Sequence, residues 1–388
     1  MMMRVRFVVV AALLLVSFTL GCVERTPPPV APSPATSPAT GLTELKIGWQ
    51  PAFEHVAVPI ILEKGWLENE LGVPVSEMLF TGGGAKEFQA FRAGEIDVAV
   101  GGVAPAISTI ANEYEKGHKV VAAVGMDIAT LSIRATDGVP DFYWNYSDPA
   151  GSILKFEMEQ GRPMKIGVWG GPGSIQWTIM TDWLLAHGID PEHDVEIKTG
   201  GIVLMEWLRS KVIDAAVIGA ELDDLMIQQG YGIPVLWISK EWAELKGYEH
   251  SPCCVVTVRG DLLREHPEVV SAVVSAFIRA QRFAYEHPDE AIGILDKHMP
   301  ESVKLAFGGE DIWLPAVNAS LSHYLGLNAT YLGLRCEGQL VPDADPHLIS
   351  GCALEFARAL RDAGAITRGL SEGDIFDYSF YDEAIKTV

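Results

Sequence analysis

The sequence predicts an α/β protein of two lobes, each built on a doubly wound parallel sheet, with a ligand cleft between them. Three observations predict it. A β-α-β-α-β pattern occurs twice: Ile47 to Ile96 spans 49 positions and Ile166 to Ile213 spans 47. Its strands are continuous runs of Val, Ile and Ala separated by helical stretches, the mark of sheets covered on both faces. Gly-rich turns follow strands in both copies, at Thr81–Lys86 and Gly170–Ile175.

Composition bounds the function. The chain has 388 residues, 48% of them hydrophobic, and a formal net charge of −22. That length predicts about two domains, and that apolar fraction predicts a folded body. A surface of this sign repels nucleic acid and anionic lipid.

The elements follow in order. Residues 1–21 read as an export signal: Arg4 and Arg6 precede an apolar run from Phe7 to Phe18, too short to span a bilayer. Gly21-Cys22 resembles a lipobox, although Thr19 and Leu20 depart from the usual pattern. Cys22 is the expected lipidation site, and residues 22–43 form a Pro/Ser/Thr-rich tether that stays extended. Loss of Arg4 and Arg6 with the leader takes the net charge from −22 to −24. The folded body then lies outside the cytoplasm, anchored at the outer face of the cytoplasmic membrane. Asn145, Asn318 and Asn328 head N-x-S/T sequons.

Lobe 1 is expected over 44–130 plus 259–388, and lobe 2 over 131–258 with an insertion at 139–161. In the first copy Lys46–Pro51 opens with a strand, and Glu87–Val100 runs from helix into buried strand. In the second copy Lys165–Gly170 and Leu204–Val217 match them. Leu131–Ala135 and Cys254–Val258 are strand-like where the chain must pass between lobes, and are the expected hinges. Pro267–His287 carries Val269, Val273, Phe277, Ala280 and Phe283 on one helical face. The helical carboxyl third is expected to pack back on lobe 1.

In open α/β sheets ligands bind beyond the carboxyl ends of the strands. The candidates there are Trp49, Gln50, Glu54 and His55 after the first strand, Gly83 and Gly84, Gly102 and Val103, and Gly171, Gly173 and Ser174. Glycines admit close backbone approach, and free N–H groups at helix starts attract negative charge. The alternative is that these glycines only make tight turns. Trp49, Trp169 and Trp177 could sandwich a planar ligand or simply pack the core. Glu221 would disfavour a bare anion and favour an amino group if it faces the cleft; otherwise it is an acid suited to a helix start. No P-loop, dinucleotide fingerprint, Gly-x-Ser-x-Gly elbow or metal-ligand spacing is present, so no catalytic residue, cofactor or metal is expected. Cys336 and Cys352 are a candidate disulfide in an oxidising compartment. Cys253-Cys254 reads as two buried thiols, a vicinal disulfide or metal ligands.

These stretches resemble the substrate-binding proteins of ABC importers in the family for nitrate, sulfonates, taurine, bicarbonate and thiamine-precursor pyrimidines. The matching residues are Ile47–Gln50, Leu62–Leu67, Gly83-Gly84, Arg92–Gly101, Lys165–Val168, Val258–Val270 and Ala363–Ile366. The resemblance implies a type II periplasmic-binding fold that closes on its ligand as a monomer. It also implies delivery to a permease driven by a cytoplasmic ATPase. A sulfonate, taurine-like or pyrimidine-like solute is expected. Trp49, His55 and Cys253-Cys254 also resemble the pyrimidine-synthase branch, so the alternatives are an enzyme of that kind or a ligand-sensing lipoprotein.

Overall fold

The computed structural model describes residues 41–388 apart from 82, 326–329, 332, 333, 336 and 337. The expected leader, Cys22, the tether up to residue 40, Asn328 and Cys336 lie outside the described residues. So does the side chain of Glu221.

Two sheets form the body. The first contains β1 (Leu45–Trp49), β2 (Val75–Leu79), β3 (Val98–Gly102) and β4 (Lys119–Met126). The second contains β5 (Ala129–Thr136), paired to a short β6 (Val139–Pro140), then β7 (Met164–Trp169), β8 (Val195–Gly200), β9 (Ala215–Gly219) and β10 (Gly232–Leu236). A further strand, β11 (Pro252–Val258), returns to the first sheet, and a two-stranded ribbon of Thr330–Tyr331 and Leu334–Arg335 stands apart from both. The orders are β2-β1-β3-β11-β4 and, read in the same sense, β8-β7-β9-β5-β10.

The duplication is thus complete in topology. β1 runs parallel to β2 and β3, as β7 does to β8 and β9. Each sheet also takes one strand that has just crossed from the other lobe, and that strand runs antiparallel: β11 against β3 and β4, β5 against β9 and β10. Both sheets are therefore mixed, where parallel sheets were expected. Side-chain detail repeats as well. Asp97 accepts from the Lys46 amide at 3.0 Å, and Asp214 accepts from the Lys165 amide at 3.0 Å. A Cβ at Gly48 would lie 2.3 Å from Ile96, and one at Gly167 2.6 Å from Ile213. Each sheet therefore needs a glycine where the isoleucine of the loop before its central parallel strand presses down.

The lobe boundaries differ from expectation. Cys254–Val258 belongs to the first sheet, so 252–258 is not part of lobe 2. Leu131–Ala135 lies inside the second sheet. Neither is a hinge. An apolar run reports burial but not which sheet buries it. The actual crossings are the short links 127–128 and 246–251.

β3 and β9 are buried throughout because helices cover both faces. The insertion forms a helix, Pro149–Gln160, capped by Asp148, whose carboxylate accepts from the Gly151 amide at 2.9 Å. The long helix Pro267–Glu286 packs on lobe 1, where Gln281 donates to the Val124 carbonyl at 3.3 Å. The helices Glu310–Tyr324 and His347–Asp362 do not stay with lobe 1. Ser320 of the former donates to Asp224 of lobe 2 at 2.9 Å. Phe356 of the latter packs tilted against Trp242 of lobe 2, with ring centroids 4.9 Å apart. No helix among the described residues is long and apolar enough to cross a membrane.

Candidate functional site

The carboxyl ends of the parallel strands lead into six helix starts among the described residues. In lobe 1 they are Ala57–Lys64 after the loop that follows β1, Gly84–Ala93 after β2 and Val103–Asn112 directly after β3. In lobe 2 they are Ile175–Ala186 after β7, Val203–Arg209 after β8 and Ala220–Gln229 directly after β9. Two of them meet across the lobes: a Cβ at Gly102 would lie 3.0 Å from Cδ1 of Ile175. A Cβ at Gly83 or Gly171 would meet nothing within 4 Å, so backbone there borders open space. Unpaired N–H groups and helix dipoles give this edge a partial positive character.

On the lobe 1 side the loop after β1 turns tightly through Phe53–His55. The Gln50 amide nitrogen of the main chain donates to Nδ1 of His55 at 3.0 Å, which fixes the ring. His55 is buried, and burial holds its pKa down to about 3, so it is neutral. Nδ1 also lies 3.2 Å from the Gln50 carbonyl, and Nε2 has no hydrogen-bond partner. The Gln50 side chain donates to Oε2 of Glu87 at 2.7 Å.

Glu87 is wholly buried, and burial raises its carboxyl pKa to about 8. Its Oε1 has no hydrogen-bond partner. Gly101 makes the room: a Cβ there would lie 2.5 Å from Oε2. The duplicated position in lobe 2 is Leu204, which lies beneath Gly167 as Glu87 lies beneath Gly48. An acid thus occupies a slot that the other lobe fills with leucine. Burying a carboxyl there costs about 1–3 kcal/mol that Leu204 does not incur.

Beside this floor lies a second group. Glu54, Cys253 and Cys254 are buried, and one ligand atom from each lies within 4.8 Å of the others. The two thiols are 3.2 Å apart, a contact and not a covalent bond. Adjacent strand residues normally face opposite ways. Register shifts on either side of Cys254 in its pairing with β4 break that alternation and bring the sulfurs together. Cys254 donates to Glu54 at 3.5 Å and Tyr324 does so at 3.4 Å. Gly125 admits Glu54, since a Cβ there would lie 2.9 Å from the Glu54 Cβ. These three groups could hold a metal ion. Burial pushes the Cys254 thiol well above its usual range, so an ion would first have to displace protons.

On the lobe 2 side Ser174 caps its helix, accepting from the Trp177 amide at 3.3 Å and donating to the Trp169 carbonyl at 3.0 Å. Gly173 has φ +85°, which a side chain would resist. Asp223, buried in the next-but-one helix, accepts from Thr130 at 2.6 Å and also from Ser132.

Most of the residues singled out from sequence therefore reach this edge. Trp49 does not face open space: its ring is buried and donates to Glu77 at 2.6 Å. Val103 is likewise buried as the first residue of its helix. Trp169 and Trp177 are half-buried. Cys352 is a buried free thiol. The reading missed Glu87 and Tyr324. Glu87 was findable, because aligning the two copies sets it against Leu204. Tyr324 was not, because its place depends on how the last third of the chain returns.

No curated protein matches the chain at a significant level. Several solved structures share its fold. A ligand-binding component of an ABC-type import system from Staphylococcus aureus, with zinc bound, aligns at TM-score 0.63 and 16% identity, over 88% of this chain and 99% of that one. The periplasmic nitrate-binding protein NrtA from Synechocystis PCC 6803 aligns at 0.65 and 15%, over 89% of each. The periplasmic aliphatic sulphonate binding protein SsuA from Escherichia coli aligns at 0.61 and 12%, over 87% and 93%. At these identities the likeness concerns the periplasmic-binding fold alone. The profile of the NMT1-like family, however, matches residues 39–294, well over half of the sequence, and the chain belongs to that family.

Proposed function

We propose that this chain is the extracytoplasmic solute-binding component of an ABC importer, lipid-anchored through Cys22, which passes its cargo to a permease with a cytoplasmic ATPase. The observation that carries the reading is the meeting of helix starts from two duplicated lobes at Gly102 and Ile175. The cargo class we favour is a small anionic or zwitterionic organic solute, sulfonate- or taurine-like or a polar pyrimidine. Helix N-termini suit its anionic end. His55 and Glu87 are both uncharged near pH 7 and suit a polar neutral or amino-bearing part beside Gln50. The ligand contacts would come from Gln50, His55, Gly83, Gly84, Gly102, Gly171, Gly173 and Ser174.

A thermal-shift panel of taurine, alkanesulfonates, nitrate, bicarbonate and hydroxymethylpyrimidine tests the reading. A true ligand at 100 times its Kd stabilises the fold by about 2.7 kcal/mol. A shift with an organic member and none with nitrate or bicarbonate is expected. Absence of any shift, together with native mass spectrometry showing no copurified small molecule, would defeat it.

A further inference from the structure

The two links between the lobes are fastened to one residue, Asp127. Its amide donates to the Ser251 carbonyl at 2.9 Å, and the Ser251 amide donates to Asp127 Oδ1 at 2.7 Å. Oδ2 pairs with Nδ1 of His250 at 2.6 Å. The Asp127 carbonyl accepts from the Trp237 indole and, at 3.1 Å, from Gln339. Gln339 in turn accepts from the Met126 amide at 2.8 Å, so the returning carboxyl third is tied in as well. Asp127 has φ +50°, a left-handed conformation that Asp tolerates better than most residues. Its carboxylate is buried, while the His250 side chain keeps 13% exposure and so can exchange protons with water.

We propose that Asp127 and His250 form a protonation-controlled clasp across both chain crossings, which holds the lobes in the arrangement seen. The imidazolium form adds charge attraction to the hydrogen bond between link 127–128 and link 246–251. Loss of that proton leaves a neutral contact and loosens the hinge. The surrounding charges act on it unequally. On its own link Glu249 lies 3.9 Å from Nε2 and favours the proton, whereas Lys240 on the helix Ile238–Leu245 opposes it. The helix His347–Asp362 brings Cys352 within reach of the Asp127 charge, with Glu355 and Lys246 acting on the same thiol. The paired carboxylate dominates, and the histidine titrates above its ordinary value of 6.5. The clasp is therefore fully present below about pH 6.5 and is lost as pH rises through the raised value.

The inference rests on lobe closure as proposed above, but its test needs no ligand. Fluorophores are attached by unnatural amino acids at the exposed Glu70 in lobe 1 and Glu192 in lobe 2 of the full chain. Energy transfer between them is read from about pH 5.5 to about pH 9. The expected result is a single step with its midpoint above 6.5, absent in His250→Gln. Glu87 titrates in the same window, and His250→Gln keeps it, so a Glu87 step would survive in the variant. Asp127→Asn keeps a neutral contact without the charge attraction, so it abolishes the step as His250→Gln does. A flat wild-type profile, or an undiminished step in His250→Gln, overturns the clasp. With either of those results, solute-induced thermal shifts that persist at pH 6 leave the binding function standing while the clasp falls.

Discussion

Glu87 shows at the residue scale how function can be set against stability. Its carboxyl is buried where the second lobe carries Leu204, and burial raises its pKa from 4.5 to about 8. The folded state therefore holds a proton that the unfolded chain releases, so stability falls as pH rises from about 4.5 to 8. Glu87→Leu, which copies the other lobe, should flatten that slope and raise stability near pH 7 by about 1–3 kcal/mol. Urea midpoints read from pH 5 to about 8 check this. The same variant should lose the ligand-induced thermal shift, because Gln50 loses its partner. A variant no more stable than wild type would mean that the buried acid is already well satisfied. His55 has the opposite sign: its pKa is lowered to about 3, so its share of stability is lost as pH falls below 6.5.

Individual elements show which parts of the architecture could be read in advance. The repeat was legible because it lies in contiguous stretches: Ile47 and Ile166, Ile96 and Ile213, Asp97 and Asp214 recur at near-equal spacing. Helix starts were legible because glycines and Ser174 mark them. The strand β11 was misplaced because its pairing with β3 and β4 is long-range, and nothing local in Cys254–Val258 names its neighbours. The same reason hid the paths of Glu310–Tyr324 and His347–Asp362 across both lobes. Trp49 was misjudged because its indole partner, Glu77, lies on the adjacent strand. At this scale Ser174 offers a direct check. Ser174→Ala removes both its cap on the Trp177 amide and its bond to the Trp169 carbonyl. It should cost about 1 kcal/mol in chemical unfolding. A larger loss of ligand response than of stability would indicate that the hydroxyl also touches the solute.

For the whole molecule the decisive feature is that lobe 1 offers a glycine, Gly102, where Ile175 of lobe 2 comes close. Gly102 ends β3 and has ordinary extended backbone, so a side chain is not excluded by conformation. What excludes it is Ile175 of the opposite lobe, 3.0 Å from where its Cβ would be, with Pro105 3.3 Å away on its own lobe. Gly102→Leu should therefore act as a wedge between the lobes and leave each sheet intact. The strand's pairing with β1 and β11 involves backbone alone and survives the change. Far-ultraviolet circular dichroism should be unchanged, and energy transfer between labels at Glu70 and Glu192 should report lobes held further apart. Any solute that shifts the melting temperature of wild type should fail to shift that of the wedge variant, since closure is what contributes the second half of the contacts. If the wedge variant still binds and still brings the labels together, the ligand does not lie between the helix starts at Gly102 and Ile175. The binding site would then have to be sought within one lobe, beside Glu54 and Cys254.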